Sequence, residues 1–184
     1  MSRAVFGGLL CLWMMLPAAA GGQAGVGGLV HELKIGALVH DMPYMWSGFH
    51  REPYSPDLNL EAQFTPSVTV WRGTIRPVMG TTINFEGYTS KVYGGGRWQW
   101  EQPSCNTFFA VGLAIAIHNG ETFTSDPEFK QLGRRVLFHD SLEFGYRLDD
   151  HKSVSLFYEH ISNASTAAKN QGLDTLGLRL GYRF

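Results

Sequence analysis

The last ten residues, Thr175-Leu176-Gly177-Leu178-Arg179-Leu180-Gly181-Tyr182-Arg183-Phe184, alternate without a break. Leu176, Leu178, Leu180, Tyr182 and Phe184 fall on one side, and Thr175, Gly177, Arg179, Gly181 and Arg183 on the other. Successive side chains of a strand point to opposite faces, so this period of two describes one apolar and one polar face. A soluble strand rarely alternates leucine with arginine up to a terminal phenylalanine. The pattern is that of the closing strand of an outer-membrane β-barrel, apolar towards lipid and polar towards the lumen.

The other end of the chain agrees. Residues 1–20 carry one positive charge at Arg3, an apolar run from Ala4 to Leu16, Pro17, and then Ala18-Ala19-Ala20. This is the layout of a secretory signal peptide, which predicts cleavage after Ala20 or after Ala24. The run is short of the roughly 20 residues that a spanning helix needs. Residues 21–184 are then expected to form one domain.

Composition narrows the classes further. The chain is rich in glycine and aromatics, with 22 Gly, 12 Phe, 7 Tyr and 5 Trp in 184 residues, which suits many short strands and turns. A net charge of -1 argues against nucleic acid as a partner, because phosphate binding needs a clustered basic surface. Cys11 leaves with the signal, so Cys105 is expected to be a free thiol in a turn.

Segments of period two bounded by turn residues number about eight. They run near 29–40, 58–65, 74–83, 91–102, 108–118, 136–148, 153–162 and to the end of the chain, the third weakened by Pro77. The fold class expected is all-β, an eight-stranded antiparallel transmembrane barrel of outer-membrane type. The inward faces carry both signs of charge: Glu32, Lys34, Glu61, Arg76, Arg97, Glu143, Arg147, Glu159, Arg179 and Arg183. Such groups can pair inside a small barrel, whose side chains fill the interior and leave no pore. With the first strand running outward, the stretches 41–57, 84–90, 119–134 and 163–173 become long outer loops and 102–106 and 149–151 tight inner turns. The stretch 66–73 is long for an inner turn.

The seventh strand departs from the apolar rule. Val154, Leu156 and Tyr158 set its outward parity, and the next positions on that face are His160 and Ser162. Polar groups on a lipid-facing position gain nothing from hydrocarbon and are functional candidates. Asp174 has the same parity at the outer end of the last strand, and the intervening loop returns it beside His160. A hydroxyl, an imidazole and a carboxylate thus converge on the outside of the barrel, the set a serine esterase needs. Asn163 and Asn170 are candidates for oxyanion or substrate binding. Asp140 is a second candidate for the acid, while Glu159 points inward. The competing reading makes these residues interfacial polar groups on a non-catalytic small barrel with a structural or adhesive role. No metal site and no cofactor is expected.

The run Phe157-Tyr158-Glu159-His160-Ile161-Ser162-Asn163-Ala164, followed by Asn170, Asp174 and the aromatic-ended strand, resembles the outer-membrane lipid A 3-O-deacylase (PagL-type) family. The stretches 32–40 and 138–146 resemble it too. The resemblance implies hydrolysis of the ester-linked 3-hydroxyacyl chain at position 3 of lipid A, with His160, Ser162 and Asp174 as catalytic residues and Asn163 and Asn170 near the oxyanion. It also implies lipopolysaccharide as substrate; the alternation itself predicts residence in the outer membrane, and Phe184 resembles the C-terminal aromatic that the barrel-assembly machinery recognises. A homodimer is a further partner option. Two residues depart from the family pattern: Asp174 stands where the acid is usually Glu, and Ser165 where Gly usually follows Asn-Ala.

Overall fold

The computed structural model describes residues 26–48 and 52–184. The expected signal peptide lies outside the described residues. After one helical turn, α1 (Val26–Leu29), nine strands follow: β1 (Val30–Val39), β2 (Pro56–Phe64), β3 (Val68–Val70), β4 (Gly73–Asn84), β5 (Lys91–Gln102), β6 (Thr107–His118), β7 (Val136–Arg147), β8 (Lys152–Ser162) and β9 (Leu173–Arg183). All neighbours pair antiparallel, and the additional β2–β4 ladder closes the ring as β1-β2-β4-β5-β6-β7-β8-β9-β1. Eight strands therefore make the barrel, with 9 to 12 residues each, close to the roughly 9–11 that cross a bilayer at a tilt.

The awkward stretch 66–73 contains the ninth strand. Val68 to Val70 pairs with Gly73 to Ile75, and the two residues between, Trp71 and Arg72, have φ of 48° and 64°. Positive φ at both central positions is what a tight two-residue hairpin needs. The segment is thus a small arm folded on β4. The tryptophan Nε1–H of Trp98 donates to the Val70 carbonyl at 2.8 Å and fastens it. Pro77 does not interrupt β4, because the β2–β4 ladder stops at Gln63 and Val78. One residue past a ladder's end, a missing N–H costs little.

Alternation decides which side chains meet lipid. Leu33, Ile35, Leu113, Ile115, Phe144, Leu178, Leu180, Tyr182 and Phe184 are exposed, while Glu32, Lys34, Arg97, Glu143 and Arg179 are buried in the lumen. Most of the inward charges pair as the two-sided charge pattern predicts, whereas Arg76 donates to the Thr65 carbonyl instead. Glu143 accepts from Lys34 and Arg97 at 2.8 and 2.5 Å, Glu61 from Arg97 and Arg179 at 2.7 and 2.9 Å, and Glu32 from Arg147 at 2.7 Å. The Arg179 and Arg97 guanidiniums lie 4.0 and 5.3 Å from the Phe157 ring centroid. The lumen is filled, so the barrel is a scaffold and its outer surface and loops are left for chemistry.

The long connections gather at one end, opposite both described chain ends. Glu52, in the loop after β1, accepts the backbone N–H groups of Thr89 and Lys130 at 3.1 Å each and the Thr89 hydroxyl at 3.0 Å. His40 bridges Glu52 and Asp57 through its two ring nitrogens at 2.8 and 2.7 Å. Three outer loops are thereby stapled to one buried carboxylate. Burial opposes charge on His40, but the hydrogen bonds to Asp57 and Glu52 outweigh it and raise its pKa from 6.5 to about 9. The folded state thus holds the proton more tightly than the unfolded chain. The stability this adds is complete below pH 6.5 and is lost as pH rises through about 9. In detergent, the unfolding midpoint should fall between these two pH values in the native protein, and the fall should be absent in His40→Gln. An equal fall in both would assign it elsewhere.

Candidate active site

Strand pairing sets the frame of the site. His160 on β8 is in register with Asp174 on β9 and with Asp140 on β7, and Ser162 is in register with Phe138. All five share outward parity, so they lie on the outer surface at the long-loop end of the barrel. Neither His160 nor Asp174 is bare, however: they are 4 % and 0 % exposed. The cover is the first outer loop. The Met42 N–H donates to the Asp174 carbonyl at 2.9 Å, and the chain then lays Trp46 over the imidazole, with ring centroids 5.1 Å apart and planes 14° from parallel.

Asp174 is the acid that reaches His160. Its Oδ1 lies 2.7 Å from His160 Nδ1 and also accepts the Tyr158 hydroxyl at 2.7 Å. Its Oδ2 accepts both the backbone N–H and the hydroxyl of Ser47 at 2.6 Å each. The short aspartate therefore suffices for contact, because adjacent strands bring the two residues side by side. Four donors fix the carboxylate, and none is left for free rotation. Asp140 makes no hydrogen bond to His160. Glu159 is inside the barrel, paired with Lys91 and His139.

With Nδ1 held by Asp174, Nε2 is the ring nitrogen left to face a partner. Ser162 follows two positions on along the same face, roughly 6.5–7 Å between Cα atoms, and its hydroxyl makes no hydrogen bond to His160. A groove of about 470 Å³ lies nearby and another of about 570 Å³ opens over the pair itself, the latter lined by Trp46, Phe138, His160, Ser162, Asn170 and Gly172 among others. Gly172 has φ of 61°, and a Cβ there would come 2.9 Å from His160 Cε1. Only glycine closes this loop against the imidazole.

The two asparagines have different surroundings. Asn163 is buried, and its amide nitrogen donates to the carbonyls of Leu132 and Lys169 at 2.9 and 2.5 Å. Its backbone N–H donates to Asn170 Oδ1 at 2.9 Å. The Asn163 carbonyl accepts the Thr166 N–H at 3.0 Å, closing a turn whose central residues, Ala164 and Ser165, have φ of 49° and 60°. This explains why a glycine suits position 165, since left-handed backbone is disfavoured for residues with a Cβ. The N–H groups of Ala164 and Ser165 have no acceptor among the described residues. Asn170 lines the groove and spends its amide nitrogen only on Ser165 Oγ at 3.4 Å.

Sequence reading missed Ser47, Trp46 and Tyr158. Tyr158 carries a signal, since its outward parity beside His160 is visible, but the sequence reading uses it only to set the lipid-facing side of the strand. Ser47 and Trp46 lie more than a hundred positions away in a loop without periodicity, and nothing local announces them. Ser47→Ala removes one of two donors to Asp174 Oδ2 while the backbone N–H remains. The expected result is a three- to tenfold lower kcat with unchanged KM, roughly the loss of one charge-assisted hydrogen bond partly replaced by water. An unchanged kcat would make the contact merely structural.

The closed eight-stranded fold with a filled lumen is that of a small outer-membrane barrel rather than a channel. The chain belongs to the lipid A 3-O-deacylase (PagL) family, whose family model matches residues 38–183. The family's members are ester hydrolases. Among solved structures, the chain is similar to the outer membrane enzyme PagL, with a TM-score of 0.61 and 16 % identity over 82 % of this chain and 99 % of that one. It is also similar to Neisserial surface protein A, with a TM-score of 0.50 and 7 % identity over 86 % and 97 % of the two chains. At such identities the likeness shows the eight-stranded fold alone. No curated protein matches by sequence comparison.

Proposed function

We propose that this protein removes the 3-hydroxyacyl chain ester-linked at position 3 of lipid A, using Ser162 as nucleophile, His160 as general base and Asp174 as the orienting acid. The single observation that carries the assignment is the 2.7 Å contact of Asp174 Oδ1 with His160 Nδ1 on the lipid-facing side of the barrel. A carboxylate on Nδ1 fixes the tautomer that leaves Nε2 able to accept a proton and stabilises the imidazolium that follows.

In the reaction, Ser162 Oγ attacks the ester carbonyl as His160 Nε2 takes its proton. The tetrahedral oxyanion is stabilised by donors of the segment 163–170: the N–H groups of Ala164 and Ser165 and the Nδ2 of Asn170. Asn163 contributes by anchoring this turn to Leu132 and Lys169. His160 then gives its proton to the sugar oxygen, which leaves as the alcohol. Water, activated by the same imidazole, hydrolyses the acyl-serine and releases the free 3-hydroxy fatty acid. No metal or cofactor enters these steps.

The substrate assignment rests on membership of the lipid A 3-O-deacylase family and fits where the site opens. Its exposed side faces the outer leaflet, flanked by Phe138 and Trp46, so an ester reaches Ser162 from within a lipid layer. Mass spectrometry of lipid A incubated with the protein in detergent micelles tests the reading. Loss of one 3-hydroxyacyl chain is expected with the native enzyme and no loss with Ser162→Ala. Lipid A of unchanged mass with the folded native enzyme would overturn it. Phe184, exposed at the end of the last strand, is proposed as the aromatic signal read by the barrel-assembly machinery.

A further inference from the structure

The 470 Å³ groove lies beside the site on the lipid-facing surface of β6 and β7, and Phe138 is a wall of both. Its floor is apolar: Ile115, Val136 and Phe138 are all exposed, and Ile115 is in register with Phe138. Its roof is formed by two consecutive cations, Arg134 and Arg135, at the end of the third outer loop. Arg134 Nη2 donates to the Thr166 carbonyl at 2.7 Å, and Arg135 Nη1 to the Gly120 carbonyl at 2.5 Å. These contacts orient the guanidiniums but do not neutralise them, and neither has an anionic partner among the described residues. Each retains further N–H donors, of the five a guanidinium carries.

We infer that Arg134 and Arg135 form a phosphate subsite for the glucosamine phosphate of lipid A, with an acyl chain of the same molecule lying along Ile115, Val136 and Phe138. This rests on the deacylase reading above. The occupant is set by the pairing of the two chemistries: unpaired cations directly above an apolar wall, at the level where strands give way to loops, complement an amphiphile whose anionic group sits on top of its chains. Planar guanidiniums also suit phosphate oxygens, which they can grip two at a time. Arg134 is tied to Thr166, and Thr166 closes the turn that begins one residue after Ser162. A phosphate here thus lies beside the turn that follows the nucleophile, and phosphate and ester are neighbours when they share one glucosamine. The subsite would select which ester of lipid A meets Ser162.

The experiment compares two substrates in mixed micelles, bis-phosphorylated lipid A and the same lipid A lacking the phosphate on the ester-bearing glucosamine. The native enzyme should show about a tenfold lower KM for the phosphorylated form. The double change Arg134→Gln with Arg135→Gln should raise that KM about tenfold at constant kcat and leave the other substrate unaffected. Arg134→Lys with Arg135→Lys should retain most of the preference. Equal KM values for both substrates in the native enzyme would overturn the subsite, whatever the variants do. Equal loss on both substrates in the glutamine variant would reduce the arginines to loop fasteners. A native enzyme that cleaves neither substrate would instead overturn the deacylase reading.

Discussion

Ser162→Ala and His160→Ala should each lower the deacylation rate by at least about 10³-fold, with the barrel still folded, and the double variant should be little slower than either. Nucleophile and base act as one unit, so removing the second member after the first takes away almost nothing more. The barrel should fold in both variants, because Ser162 makes no side-chain hydrogen bond and the inward pairs that hold the lumen lie on the opposite parity from His160. Folding is checked by the mobility shift of unboiled barrels on denaturing gels, and activity by release of 3-hydroxy fatty acid. If Ser162→Ala retained full activity, His160 and Ser162 would be interfacial polar residues, and the catalytic assignment would lose its nucleophile.

Asp174 carries the second large effect. Asp174→Asn should cost roughly 10²–10⁴-fold in kcat, less than loss of Ser162, because an amide cannot hold the imidazolium and favours the wrong tautomer. The four donors on its two oxygens add a structural consequence: the Ser47 N–H and hydroxyl would face an NH₂ group or force the amide to turn it on His160. Asp174→Glu, although it restores the acid usual in the family, should also reduce the rate, about tenfold or more. The aspartate already meets Nδ1 at 2.7 Å, and a longer acid would have to move out of a fully buried position held by Ser47 and Tyr158. This decides between the two acids as well. Asp140→Asn should leave kcat within about threefold, because Asp140, although in register with His160, makes no hydrogen bond to it. A damaging Asp140→Asn together with a mild Asp174→Asn would reverse the assignment.

Much of the barrel was determined by the chain itself, since alternation is a local property. Leu33 and Lys34, Phe144 and Glu143, Leu180 and Arg179 announce their faces to any reader, because a strand in a bilayer has one apolar and one polar solvent and no third choice. The same parity marked His160, Ser162 and Asp174 as polar residues on the apolar side, and antiparallel connection of β8 to β9 is enough to bring the last of them back beside the first. What alternation cannot carry is the length of irregular chain. The arm at 68–75 looked like a clumsy turn because its two left-handed residues, Trp71 and Arg72, are not residues that advertise positive φ.

The loops over the site were decided by tertiary structure alone. Ser47 and Trp46 reach Asp174 and His160 through a segment whose course is set by distant contacts, among them Met42 with Asp174 and Glu52 with Thr89 and Lys130. Sequence reading put Asp174 first and kept Asp140 as a second candidate; both are in register with His160, and only the folded chain shows that Asp174 makes the hydrogen bond. Sequence determines which face of each strand meets lipid because that depends on a residue's own chemistry and its position modulo two. The clasp that makes the carboxylate a partner for His160 depends on groups more than a hundred residues apart, and only the folded chain brings them together.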